Sequence, residues 1–187
     1  MSANHHNLNS DVVRALADPP ELRSEADGLG VLAGHFSVFD TWYRVSSIKE
    51  GEFLERTAPG FVAQTIKDDR ARMKVLFDHG FDGQIGNKVL GAIRKLEEDK
   101  VGAYFEVPLL DTTYNRDLKP GLQAGLYGAS FRMRVQDDSW DDAPVRSDHN
   151  PDKLPERTIT RAKVLEFGSR HLPGKSRGNR PGALTHG

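Results

Sequence analysis

The stretch Tyr127–Val135, YGASFRMRV, reads as a β-strand with two unlike faces. Successive side chains of a strand point to opposite sides, so Phe131, Met133 and Val135 fall on one face and Ser130, Arg132 and Arg134 on the other. An apolar face backed by a polar one belongs to a sheet with one side on a core. The same texture recurs outward from it. Upstream, Ala103–Leu109 alternates, and with the segment before it forms a β-hairpin whose turn lies near Glu98 to Gly102. KVLFDHG (Lys74–Gly80) is a short apolar strand whose polar end carries Asp78 and His79. VLAGHFSVFDTWYRV (Val31–Val45) supplies one or two strands, and EFLERTAPG (Glu52–Gly60) another, closed by a Pro-Gly turn. Downstream, RTITRAKVLEFG (Arg157–Gly168) resumes β character.

Helical signals are few. Phe61, Thr65 and Ile66 share a face of a helix over Phe61–Met73, with the charges of KDDR outside. A second helix is expected around Asp117–Ala124, with Pro120 limiting its start. The sum is an α+β chain, mainly antiparallel β, and the simplest expectation is a closed or nearly closed β-barrel with a few short helices. Its 187 residues suit one domain. Residues 1–30 are polar, and Pro19 and Pro20 stop any turn built on Val12, Val13 and Leu16, so they read as a flexible arm. Residues 31–168 form the domain, with a polar loop over 136–157, and the Gly-rich, basic residues 169–187 form a flexible tail.

Composition excludes several classes. With 26 basic and 27 acidic residues, no charge excess points to nucleic acid or a membrane. No cysteine is present, which excludes disulfides, a thiol nucleophile and cysteine-ligated zinc. The N-terminus lacks a signal peptide's apolar stretch, and no apolar run approaches the roughly 20 residues of a membrane span. A soluble, intracellular protein is expected. The seven histidines (His5, His6, His35, His79, His149, His171 and His186) show no zinc-site spacing, so neither a metal nor another cofactor is expected.

Each candidate for chemistry has a plain alternative. His79 ends an apolar strand before Gly80, and alone it reads as a satisfied structural histidine. Ser130 lies in GASFRM, outside any GxSxG elbow, and alone it is a packed strand serine. Glu166, in VLEFG, reads as an outward-facing strand glutamate. The paired aspartates Asp137–Asp138 and Asp141–Asp142 read as a solvated loop.

A resemblance changes these weights. From about Gly34 to Phe167 the segments GHFSVFD, FLERTAPGFVAQTI, VLFDHG, GQIGNKVLGAI, GAYFEVPLLDTTYNRDL, GASFRMRV and RTITRAKVLEF resemble, in order and spacing, the prohead proteases of tailed phages. The resemblance implies an assemblin-like β-barrel and a serine endopeptidase. The histidine of its VLFxH element corresponds to His79 and the serine of its G-x-SF element to Ser130, both implied to be catalytic. A late acidic residue corresponds to Glu166, which would orient the histidine, although the serine that usually follows Phe167 is replaced by Gly168 and a TFPA stretch is absent. His149 and His171 are alternatives for that third role by analogy with assemblin, whose triad is Ser-His-His. Arg132 and Arg134 are candidates for an oxyanion hole, against an exposed cationic face. One codon choice for Gly174–Gly182, shifted by one nucleotide, encodes ANPGATAR, which resembles the family's usual ending.

The implied substrates are the scaffolding protein, or the scaffold-like region of the major capsid protein, and the protease itself. Self-association is a further implication. The work would take place inside an assembling procapsid in the bacterial cytoplasm. The competing expectations are a catalytically impaired assembly or scaffolding factor on the same fold, and a β-barrel binding module unrelated to phages.

Overall fold

The computed structural model describes residues 10–16 and 18–171. Among them are ten strands: β1 (Asp11–Leu16), β2 (Glu21–Arg23), β3 (Val31–Val38), β4 (Tyr43–Ser47), β5 (Gly51–Thr57), β6 (Lys74–Phe77), β7 (Lys95–Glu98), β8 (Gly102–Pro108), β9 (Tyr127–Asp141) and β10 (Glu156–His171). Two helices, α1 (Ala63–Asp69) and α2 (Thr113–Gln123), separate β5 from β6 and β8 from β9. One sheet runs β1-β9-β10-β5-β4, with β6 added on β10, and the other runs β2-β3-β8-β7.

The mainly β, α+β expectation holds, but the closed barrel does not. The backbone ladders end at β1, β4 and β6 in the first sheet and at β2 and β7 in the second, so among the described residues neither sheet closes on itself. The two sheets instead share an aromatic core. Phe36 of β3 lies 5.3 Å from Phe131 of β9 and 4.9 Å from Phe167 of β10, centroid to centroid, and Phe105 of β8 lies 4.9 Å from Phe167. The apolar face read from YGASFRMRV is therefore the face that meets the second sheet: Phe131, Met133 and Val135 are all buried.

Strand β10 organises the first sheet. One edge pairs antiparallel with β9 along nearly its whole length, and the other pairs parallel with β5 at its start (Glu156–Ile159) and with β6 at its end (Glu166–Ser169). Register shifts near Arg161 and between Val164 and Glu166 bend it, as bulges do in long strands. Helix α1 packs on this strand through Thr65, whose hydroxyl donates to the Ala162 carbonyl at 2.8 Å.

Four boundaries differ from expectation. Residues read as a flexible arm include β1, paired with β9, and β2, paired with β3. Edge strands gain their stability from backbone bonds, which leave no pattern in a polar sequence. Helix α2 starts at Thr113 and not near Asp117, because the Thr112 hydroxyl caps it by accepting from Asn115 N. Pro120 is accommodated inside the helix. The polar loop shrinks to 142–155, since β9 continues to Asp141 and β10 begins at Glu156. That loop is fastened by Asn150, whose amide donates to the Leu154 carbonyl and Glu156 and accepts from Leu154 N. Strand β10 extends to His171, beyond the expected start of the tail, and the stretch Gly174–Gly182 lies outside the described residues. No helix among the described residues is long and apolar enough to cross a membrane.

Candidate active site

At the end of β6 the chain turns sharply. Asp78 (φ 45°), His79 (φ 56°) and Gly80 (φ 80°) are three consecutive residues in the left-handed region. Glycine enters it freely, while aspartate and histidine are among the side chains that tolerate it best. Each non-glycine residue there costs roughly 1–2 kcal/mol. The turn brings His79, 8% exposed, over the ladder formed by β9 and β10.

That ladder presents two groups on one face. Ser130 pairs with Gly168 and Arg132 with Glu166, so Ser130 and Glu166 are diagonal neighbours. Diagonal Cα positions in an antiparallel pair are about 7–8 Å apart, which leaves room for an imidazole between the two side chains. His79 fills that room. Its Nε2 lies 2.5 Å from Ser130 Oγ and its Nδ1 lies 3.2 Å from Glu166 Oε1. With Nδ1–H donating to the carboxylate, Nε2 is left as an acceptor facing the hydroxyl. Ser130 and Glu166 are both buried. Glu166 is also 3.6 Å from Arg132 Nη1, so its negative charge has a second partner.

These contacts match the catalytic chain of a serine hydrolase: a hydroxyl, an imidazole against it, and a carboxylate behind the imidazole. The other histidines lie in different contacts. His149 bonds Glu156 at 2.9 Å and stacks on Trp42, and the His171 ring packs edge-on against Phe77 and Tyr127. His35 bonds Asp99 at 2.8 Å. His5, His6 and His186 lie outside the described residues. Arg134 is bound to Asp11, and Arg132 lies 3.7 Å from the same carboxylate while its Nε is buried without a partner. Among the described residues no cluster of three or more His, Asp or Glu side chains is arranged to hold a metal.

A family model described as caudovirus prohead serine protease matches residues 19–176. The chain belongs to this family. Among solved structures, the bacteriophage T4 capsid assembly protease, gp21, superposes with a TM-score of 0.54 at 13% sequence identity, covering 88% of this chain and 98% of that one. At that identity the likeness is one of fold: this member of the prohead protease family shares its architecture with the T4 protein. No curated protein sequence matches the chain.

Sequence reasoning missed two partners of the site. The Ser130 hydroxyl also lies 3.0 Å from the carbonyl of Arg14 on β1, a second acceptor for its one hydrogen. The Arg14 side chain, in turn, is buried against Glu55 and Glu50. An arginine between two valines and an alanine, in a stretch read as an arm, gave no signal of either contact.

Proposed function

We propose that this prohead protease family member is an active serine endopeptidase of capsid maturation, with Ser130 as nucleophile, His79 as general base and Glu166 as the group that orients His79. The observation that carries the reading is the 2.5 Å approach of His79 Nε2 to Ser130 Oγ across 51 residues of sequence. A serine hydroxyl is a weak nucleophile until a base takes its proton. Neutral His79 accepts that proton as Oγ bonds to the scissile carbonyl carbon. The imidazolium then returns it to the leaving amine as the C–N bond breaks, and water, activated by the same imidazole, releases the acyl group. Glu166 fixes the tautomer through Nδ1–H and stabilises the imidazolium. Arg132, on the Ser130 face of β9 with an unpartnered Nε, is the side-chain candidate for the oxyanion.

The family points to capsid-associated proteins as substrates: the scaffolding protein, or the scaffold-like region of the major capsid protein, and the chain itself. The place of action would be the assembling procapsid in the host cell. A fluorophosphonate probe tests the reading. Labelling at Ser130, located by mass spectrometry and lost in His79→Ala, is the expected result. A folded chain that never labels would favour a non-enzymatic assembly factor on this fold.

A further inference from the structure

Strand β1 precedes the family match, which begins at residue 19, yet it covers the edge of the strand that carries Ser130. It runs antiparallel to β9, in register from Asp11 opposite Arg134 to Leu16 opposite Ala129, with Ala15 opposite Ser130. The Arg14–Ala15 peptide bond therefore lies against the Ser130 hydroxyl, which is 3.0 Å from the Arg14 carbonyl. An extended peptide added to a sheet edge is a general way for a binding site to hold a chain: backbone bonds give affinity and side-chain pockets give selectivity.

A pocket is present. The Arg14 side chain is 1% exposed. Its guanidinium meets Glu55 at 2.6 and 3.0 Å and Glu50 at 2.7 and 3.1 Å. Glu55 is also held by the Tyr43 hydroxyl and by Arg157. Burying a cation is costly unless its partners are already in place, and a strand that merely covered an edge would do so with an apolar side chain. Two carboxylates converging on one guanidinium, next to the peptide bond at the serine, make a side-chain subsite for a cation.

Building on the reading of Ser130 as nucleophile, we propose that β1 is an internal substrate mimic. It fills the place of an extended peptide substrate, and Arg14 occupies a pocket, formed by Glu50, Glu55 and Tyr43, that selects a basic residue in the substrate. The site stays closed until β1 leaves. The Ser130 hydroxyl has one hydrogen, and with β1 in place the Arg14 carbonyl competes for it with His79 Nε2. The serine is 1% exposed with β1 in place.

Labelling of the full chain by a small fluorophosphonate reports the fraction of molecules in which β1 is off, since only that fraction reacts. Arg14→Ala is expected to label at least about tenfold faster than the unaltered chain, the change that a loss of one charge-assisted contact produces. Glu50→Gln, a milder change at a partly exposed residue, raises the rate less. A synthetic peptide of residues 10–18 returns the Arg14→Ala rate toward that of the unaltered chain, and the same peptide with alanine in place of its arginine does not. Labelling at the unaltered rate by an Arg14→Ala chain with unchanged circular dichroism would overturn the inference and leave Ser130 as nucleophile. If Arg14→Ala does not fold, an unchanged rate in Glu50→Gln together with no effect of the peptide overturns it. If no form labels Ser130 at all, the protease reading has failed and the inference fails with it.

Discussion

Gly168 of β10 stands against the backbone of Leu76 in β6: a Cβ on that glycine would come within 1.9 Å of the Leu76 carbonyl oxygen and 2.9 Å of its carbon. Both atoms belong to a strand whose next turn carries His79, so neither can move without carrying the histidine with it. The Gly168 that replaces the usual serine of the family resemblance is therefore required by the close approach of β6 to β10 in this chain. Gly168→Ala, and Gly168→Ser equally, should force the strands apart and cost about 1–3 kcal/mol, the range for overpacking. The thermal midpoint should fall, and at temperatures where the variant remains folded, labelling at Ser130 should fall as well. A midpoint unchanged within error would show that the strands part without strain.

The serine and histidine should behave as one unit. Ser130→Ala and His79→Ala are each expected to lower peptide hydrolysis by at least about a thousandfold, and the double variant should be no worse than either alone, because groups acting in a single step are not additive. Losses that multiply in the double variant would mean that the two side chains work separately. Circular dichroism separates this from misfolding.

Much of this arrangement is legible in the sequence, and what escapes it has a common physical cause. Alternation in Tyr127–Val135 places Phe131, Met133 and Val135 on the core face because burial imprints a period of two on side-chain chemistry. The apolar run before His79 marks β6 for the same reason. The end of that strand, where Asp78 and His79 adopt positive φ, is written in backbone sterics and leaves no pattern. Strand β1 escapes because its bonds to β9 are made by the main chain, and its one informative side chain, Arg14, is buried by carboxylates some 40 positions away. Barrel closure is likewise decided by which edges pair, and a list of strands does not contain that. The family resemblance, and not alternation or composition, singles out His79, Ser130 and Glu166 from their chemically similar neighbours.

Glu166→Gln should separate orientation from proton transfer. The amide keeps the shape of the side chain, but it removes the charge beside His79 Nδ1, 3.2 Å away, and can present a donor that favours the wrong tautomer. Turnover is expected to drop by about 10²–10⁴-fold, with the larger figure being that of the corresponding change in a well-studied triad. Substrate KM should change little, since Glu166 lies behind the imidazole. An equal rise in KM and fall in kcat would point to a substrate-binding role instead.

Stability should be lost in acid through the carboxylate inside the Arg14–Arg157 clasp. Burial alone would push the Glu55 carboxyl up, but the charges of Arg14 and Arg157 and the hydrogen bonds from Arg14 and Tyr43 outweigh it and hold the group below the usual glutamate range. A carboxyl with a lower pKa folded than unfolded contributes stability above its unfolded value, about 4.3, and loses it as pH falls through the folded value. The sign is opposite for Tyr43, whose phenol is raised well above its usual value by burial and by the neighbouring Glu55. Its contribution is present below about pH 10 and declines as pH rises past the unfolded value. A plateau between those limits is expected. Urea midpoints measured from pH 7 to pH 3 should hold steady and then fall below about pH 4, with proton uptake on unfolding in that range. Glu55→Gln should be less stable by about 3–5 kcal/mol at pH 7, because it leaves two buried guanidiniums short of a partner, and should lose less on further acidification. A variant whose acid limb is as steep as that of the unaltered chain would place the responsible carboxyl elsewhere.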